Sequence, residues 1–280
     1  MKLETPIVTQ ILTRLDQEAE DLTFLPRALV MANLPHSEKS ELIWKRTAGH
    51  FTLTVRAHPD YGLPFGSYPR LFAMWLTNEI KRTKSPVVEF NRSYRAFLLA
   101  LRIETDGKTR ARFQGQVVRL LTSCISLDKK TEERFDHAMM PVADKFSLWW
   151  NPVSPTEELH TRIEVSKSFY DNIERYAVPL DIRAINALKR SPMRLDIYSW
   201  LTYRMSYLKR PTHIPWTALF NQFGSDYESI YHFINAFTVS LKYVSLVYSQ
   251  ARVEIKNDGL CLRPSPSHVL KRQERLELTP

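Results

Sequence analysis

The chain repeats itself once. Trp75-Leu76-Thr77, followed by Lys84 and Pro86, returns as Trp200-Leu201-Thr202, followed by Lys209 and Pro211, so that WLTNEIKRTKSP and WLTYRMSYLKRP agree at Trp, Leu, Thr, Lys and Pro. A solenoid needs several short stacked units, whereas one internal repeat at a long spacing points to two copies of a small domain. A chain of 280 residues has room for two such domains, each with its own core.

Charge narrows the partner. Lysine and arginine number 39 against 30 aspartates and glutamates, a net charge of +9 and a pI near 9.5. That balance favours a polyanion such as nucleic acid over an acidic small molecule. No stretch approaches the ~20 uninterrupted apolar residues of a spanning helix, and the opening MKLETPIVTQILTRLDQ lacks the unbroken apolar run of a secretion signal. A cytoplasmic protein without membrane contact is expected. The two cysteines, Cys124 and Cys261, lie in apolar, strand-like surroundings and read as small buried hydrophobes, not as a disulfide or a zinc site.

Taken in order, Thr5 to Asp21 places Ile7, Val8, Ile11, Leu12 and Leu15 on one face of an amphipathic helix. Phe51 to Val55 alternates as a half-buried strand. A helix from Tyr68 ends in Lys81-Arg82-Thr83-Lys84, cations at the favourable pole of its dipole. Val87 to Phe90 reads as a strand. Ser93 caps a helix running to Leu101, and Thr109 to Thr122 forms another. Strands follow at Cys124 to Asp128, Met139 to Trp150 and Thr161 to Val165, and Ser166 to Tyr176 reads as a connecting helix. The second cycle has helices from Asp181 to Lys189 and from Pro192 to Leu208. It continues with a minimal strand, Thr212 to Ile214, and a helix from Pro215-Trp216 stopped by a left-handed Gly224. A long helix capped by Ser225 comes next. Asn257-Asp258-Gly259 supplies positive-φ residues for a closing hairpin.

The sequence thus predicts an α+β, predominantly helical chain of two tandem winged-helix domains in pseudo-repeat behind an N-terminal helical extension. The expected bounds are 1–50 for the extension, 51–166 and 181–266 for the winged helices, 167–180 for a linker helix and 267–280 for a mobile charged tail. In a helix-turn-helix the second helix enters the major groove. In the first half it would offer Lys108, Arg110, Arg112, Gln114, Gln116 and Arg119, types that bond guanine, adenine or phosphate. In the second half the outward set is Ser225, Tyr227, Ser229, His232 and Asn235, with Lys242, Arg252 and Lys256 as phosphate contacts.

Catalysis finds little in the sequence. No Gly-rich phosphate loop or dinucleotide fingerprint is present, no Gly-x-Ser-x-Gly elbow occurs, and the eight histidines show no metal-ligand spacing. A non-enzyme without cofactor or metal is expected. A tyrosine nucleophile for DNA cutting, among 12 tyrosines, has no signature to support it.

The segments Gly62-Leu63-Pro64-Phe65-Gly66-Ser67-Tyr68-Pro69-Arg70-Leu71, Trp75-Leu76-Thr77, Leu188-Lys189-Arg190-Ser191-Pro192, Pro211-Thr212-His213-Ile214-Pro215-Trp216 and Gln222-Phe223-Gly224-Ser225-Asp226-Tyr227 resemble plasmid replication initiators of the RepA/TrfA type. The resemblance implies a bacterial, plasmid-associated protein that binds direct repeats (iterons) in double-stranded origin DNA. It further implies that the protein opens the adjacent duplex and recruits a host initiator ATPase and the replicative helicase. It also implies a homodimer that represses the protein's own gene, and a dimeric repressor without an initiator role is the alternative reading. Ile234-Asn235-Ala236-Phe237 departs from the pattern, since arginines are expected there.

Overall fold

The computed structural model describes residues 22–90, 97–98, 101, 103, 107–148, 161–224 and 226–269. It divides into two compact units, Phe24–Ala177 and a C-terminal unit from Val178, with which Leu22 and Thr23 are grouped. The expected helix at Thr5 to Asp21 lies outside the described residues, and of the one expected from Ser93 to Leu101 only residues 97, 98 and 101 are described, 97 and 98 being helical. Strand β1 (Leu22–Leu25) straddles the division.

In the N-terminal unit, helix α1 (Arg27–Met31) precedes a hairpin of β2 (Ile43–Ala48) and β3 (Phe51–Arg56). Next comes α2 (Ser67–Thr83), the helix that carries Trp75. Its run from Pro69 to Thr77 is apolar nearly all round, the pattern of a helix with no solvent face, and every residue of that run is buried. Trp75 meets Phe97 and Phe90 edge-on, and Phe72 and Phe97 reach Phe113. Lys84, in the left-handed conformation at φ 54°, ends the helix, and Pro86 forbids its continuation.

Beyond β4 (Val87–Phe90) come α3 (Gly107–Leu121), β5 (Cys124–Lys130), β6 (Phe135–Pro141), β7 (Ala143–Ser147), β8 (Thr161–Val165) and α4 (Lys167–Tyr176). They make two antiparallel sheets, β2-β3-β5-β6 and β4-β8-β7. The expected long strand Met139 to Trp150 is therefore two strands in two sheets, parted at Val142. The strand expected to end at Asp128 runs on, because Lys129 pairs with Asp136 and Lys130 with Phe135. Residues 24–50, read as part of an extension, supply α1 and β2 to this unit, and α4, read as a linker, also belongs to it.

The C-terminal unit contains β9 (Val178–Asp181), α5 (Ile182–Leu188), α6 (Pro192–Met205), β10 (Thr212–Pro215), α7 (Trp216–Phe223), α8 (Ile230–Val247), β11 (Arg252–Lys256) and β12 (Gly259–Arg263). Asp181 and Ser191 cap α5 and α6 through their side-chain oxygens. Trp200 on α6 packs edge-on against Phe223, which meets Phe237, which meets Phe233. The sheet order is β10-β12-β11.

The echo of Trp75 at Trp200 is therefore structural. Each tryptophan lies in a buried stretch of helix, and each helix precedes a short strand that pairs with the last strand of a three-stranded sheet, in the orders β4-β8-β7 and β10-β12-β11. The first copy differs by the β5-β6 hairpin, inserted between α3 and β7 and paired with β3. The fold is mixed α/β, with more strand than the helical reading allowed.

Two glycines act by close approach, not by a left-handed turn. Neither Gly224, at φ −86°, nor any residue of Asn257-Asp258-Gly259 has positive φ. A Cβ on Gly224 would lie 2.7 Å from the Phe220 carbonyl oxygen, and one on Gly259 would lie 2.1 Å from that of Ile214, where β10 and β12 pair. Within the expected tail only residues 267–269 are described, and His268 among them is tied to the C-terminal unit. His268 bonds to the Tyr198 hydroxyl through Nδ1 at 2.7 Å, and the Tyr248 hydroxyl donates to the Pro266 carbonyl at 2.5 Å. Residues beyond Val269 lie outside the description.

Candidate nucleic-acid interface

The exposed faces of α3 and α8, with the β11-β12 ribbon, hold the candidate contacts. On α3, successive residues turn ~100°, so positions 108, 111, 112 and 115 share one side. Lys108, Ala111, Arg112 and Gly115 are the exposed residues there, and α3 contains no acid. The expected set alternates at every second position, and residues i and i+2 do not face the same way. Arg110 and Gln114 are accordingly half-buried.

Two expected contacts are committed to the protein's own structure. Gln116 is buried, with 7% of its surface exposed, and its Oε1 accepts from the Phe65 amide at 2.7 Å. Arg119 donates to Glu38 at 2.7 Å and to the Leu63 carbonyl at 3.3 Å, with its guanidinium 5.1 Å from the Phe65 ring centre. Both side chains hold the Leu63-to-Phe65 loop. From α2 the fully buried Arg70 ties the same region, donating to the carbonyls of Gly66 at 2.6 Å, Leu34 at 2.7 Å and Pro35 at 3.3 Å. The stretch that carries the family resemblance is thus a structural junction.

On α8 the cap is Ser229, not Ser225, which is outside the described residues. The Ser229 hydroxyl accepts from the Tyr231 amide at 3.2 Å and is occupied in that role. Tyr227 is half-buried, edge-on to Phe233 at 5.9 Å, and burial raises the pKa of its phenol. His232, Asn235 and Lys242 do lie exposed. With them stands Tyr231, 80% exposed, which the sequence reading passed over. Its signal was available: 231, 235, 238 and 242 recur at helical spacing once the helix is begun at Ile230. From Ile230 to Val247 there is no acidic residue.

Arg252 and Lys256 are exposed on β11. Between them Glu254 pairs with Arg263, whose hydrogen bond holds that carboxyl below its usual pKa and offsets its charge. The turn is docked on α7, since the Trp216 indole donates to the Lys256 carbonyl at 3.3 Å and its amide to the Asp258 carbonyl at 3.1 Å. Among the described residues no three His, Cys, Asp or Glu are placed to hold a metal ion, and no helix is long and apolar enough to cross a membrane.

The chain is a mixed α/β protein of two units, and its architecture is similar to that of a solved structure of RctB. One, described as the crystal structure of SeMet derivatives of domain2 and domain 3 of RctB, aligns with a TM-score of 0.53 at 10% identity, over 88% of this chain and 99% of that one. A second, of RctB domains 2-3, aligns with a TM-score of 0.49 at 10% identity, over 86% and 96%. At such identity the likeness is one of fold. No curated protein matches the sequence. The family described as "Plasmid encoded RepA protein" matches residues 63–217, more than half of the chain, and the chain belongs to this family of plasmid replication initiators. Helix α8 and the ribbon lie beyond the matched residues.

Proposed function

We propose that this chain initiates plasmid replication by binding directly repeated duplex sequences at its origin, opening the neighbouring duplex and bringing in a host initiator ATPase and the replicative helicase. In this reading both units are winged helices, α3 and α8 are the groove-facing helices and β11-β12 is a wing. Binding and strand opening proceed without nucleotide hydrolysis or a cofactor.

The initiator role rests on family membership. The observation that carries DNA binding is α8, eighteen residues without an acid, with Tyr231, His232, Asn235 and Lys242 outward. Such a surface offers hydrogen-bonding and apolar groups to base edges and a cation to phosphate. On α3, Lys108 and Arg112 add positive charge.

The test is a competition assay of the full chain between the repeats of its own origin and random duplex, across a salt series. Preference for the repeats supports the reading, and equal binding overturns it. Supercoiled origin DNA treated with a single-strand-specific probe then separates initiator from repressor. Protein-dependent reactivity in the A/T-rich segment is expected, and binding without reactivity favours the dimeric repressor.

A further inference from the structure

We propose that Tyr231 and Asn235 act together as the base-reading pair of α8, and that they recognise adjoining A·T pairs in the major groove through a thymine methyl group and an adenine edge. The inference rests on the proposed DNA-binding role and specifies what the α8 surface reads.

Tyr231 is the most exposed of the large apolar side chains described, at 80%, and stands in the first turn of the helix. Ser229 fixes that turn by accepting its amide proton. Asn235 is exposed one turn further on, so the two side chains are neighbours on one face, with Cβ atoms ~5 to 6 Å apart. Their chemistry selects bases over phosphate. An asparagine amide has the donor and acceptor needed to bond adenine N6 and N7 together, and an uncharged ring makes apolar contact with the C5-methyl of thymine. Base pairs stack ~3.4 Å apart, so side chains at this separation reach the same pair or the next. Lys242 lies two turns beyond Asn235 on α8, Arg252 and Lys256 are exposed on the ribbon, and the exposed Glu228 precedes the helix. The absence of acid throughout α8 in a chain of net charge +9 makes DNA the favoured occupant over a basic or neutral protein surface.

The experiment begins with duplexes selected from a random pool by the full-length protein. Each thymine of the selected site is then replaced by deoxyuridine, which removes the methyl and keeps the pairing. At one or two positions the replacement is expected to weaken wild-type binding by about fivefold. Tyr231→Ala should weaken binding to the unmodified site by a similar factor and be indifferent to the same replacements. Tyr231→Phe should behave as wild type, because the ring and not the hydroxyl makes the contact. Asn235→Ala should lose preference at an adenine beside those positions. Thermal melting of each variant should match wild type, as expected for exposed side chains. Deoxyuridine tolerated at every position, or wild-type affinity in Tyr231→Ala, overturns the assignment. So does a variant that keeps its DNA preference and loses self-association instead, which would make Tyr231 a protein contact. If the wild-type protein enriches no sequence from the pool, the DNA-reading role itself fails and the assignment with it.

Discussion

Arg70, Arg112 and Arg119 look alike in the sequence and do different things. Arg70 is a buried cation that serves three backbone carbonyls on two segments. Replacing it by methionine keeps the stem and leaves buried acceptors unpaired. A loss of about 3 kcal/mol or more is expected, seen as a fall of roughly 10 °C in the melting temperature of the N-terminal unit. Arg112 is exposed on α3, so Arg112→Ala should weaken DNA binding and lower the salt slope by about one. Arg119 is spent on Glu38 and Leu63, so Arg119→Ala should leave the slope unchanged and cost about 1 kcal/mol of stability, measured by denaturant titration. Gly259→Ala forces a Cβ against the Ile214 carbonyl and should destabilise the C-terminal unit by about 2 to 3 kcal/mol.

At the scale of elements, α5 offers a pH-dependent cap. Asp181 is buried, which alone would raise its pKa, but hydrogen bonds from the Arg183 side chain and amide, with the charges of Arg183 and His268, outweigh burial and hold it below the ordinary value. A depressed carboxyl contributes stability above its unfolded pKa of ~3.9 and loses it as pH falls through the folded pKa. Asparagine caps as well as aspartate, so Asp181→Asn should flatten the acid limb of the stability curve and cost about 1 kcal/mol at neutral pH through the lost charge-assisted bonds to Arg183. Elements of this kind were legible in the sequence because their signals are local. The helices read at Ser166 to Tyr176, Asp181 to Lys189 and Pro192 to Leu208 form there, with Ser166, Asp181 and Ser191 at their N-caps. The misreadings have physical causes. Strand β2 was missed because its alternation, Ile43 and Lys45 out with Trp44 in, has meaning only beside β3. Gln116 looked like a DNA contact because nothing local announces that its acceptor is Phe65, distant in the chain. On α8, taking Ser225 as the cap put Ser225, Tyr227 and Ser229 on the surface at two-residue steps and hid Tyr231.

At the scale of the whole molecule, the repeat read from twelve-residue echoes is a repeat of sheet order and of the helix before it, interrupted by one inserted hairpin. In the proposed role, a chain that neutralises six to ten phosphates should lose on the order of a thousandfold in affinity between 50 and 200 mM salt, and a filter-binding series checks this. The paired tryptophans carry one more consequence. Trp75 and Trp200 sit in matching places in two separate aromatic cores, each shielded from water by its own phenylalanines. Each half therefore holds one of these two among the six tryptophans of the chain as a buried fluorophore. Subtracting the emission of Trp75→Phe or Trp200→Phe from that of the parent isolates one emitter, whose red shift during heating times the opening of that half alone.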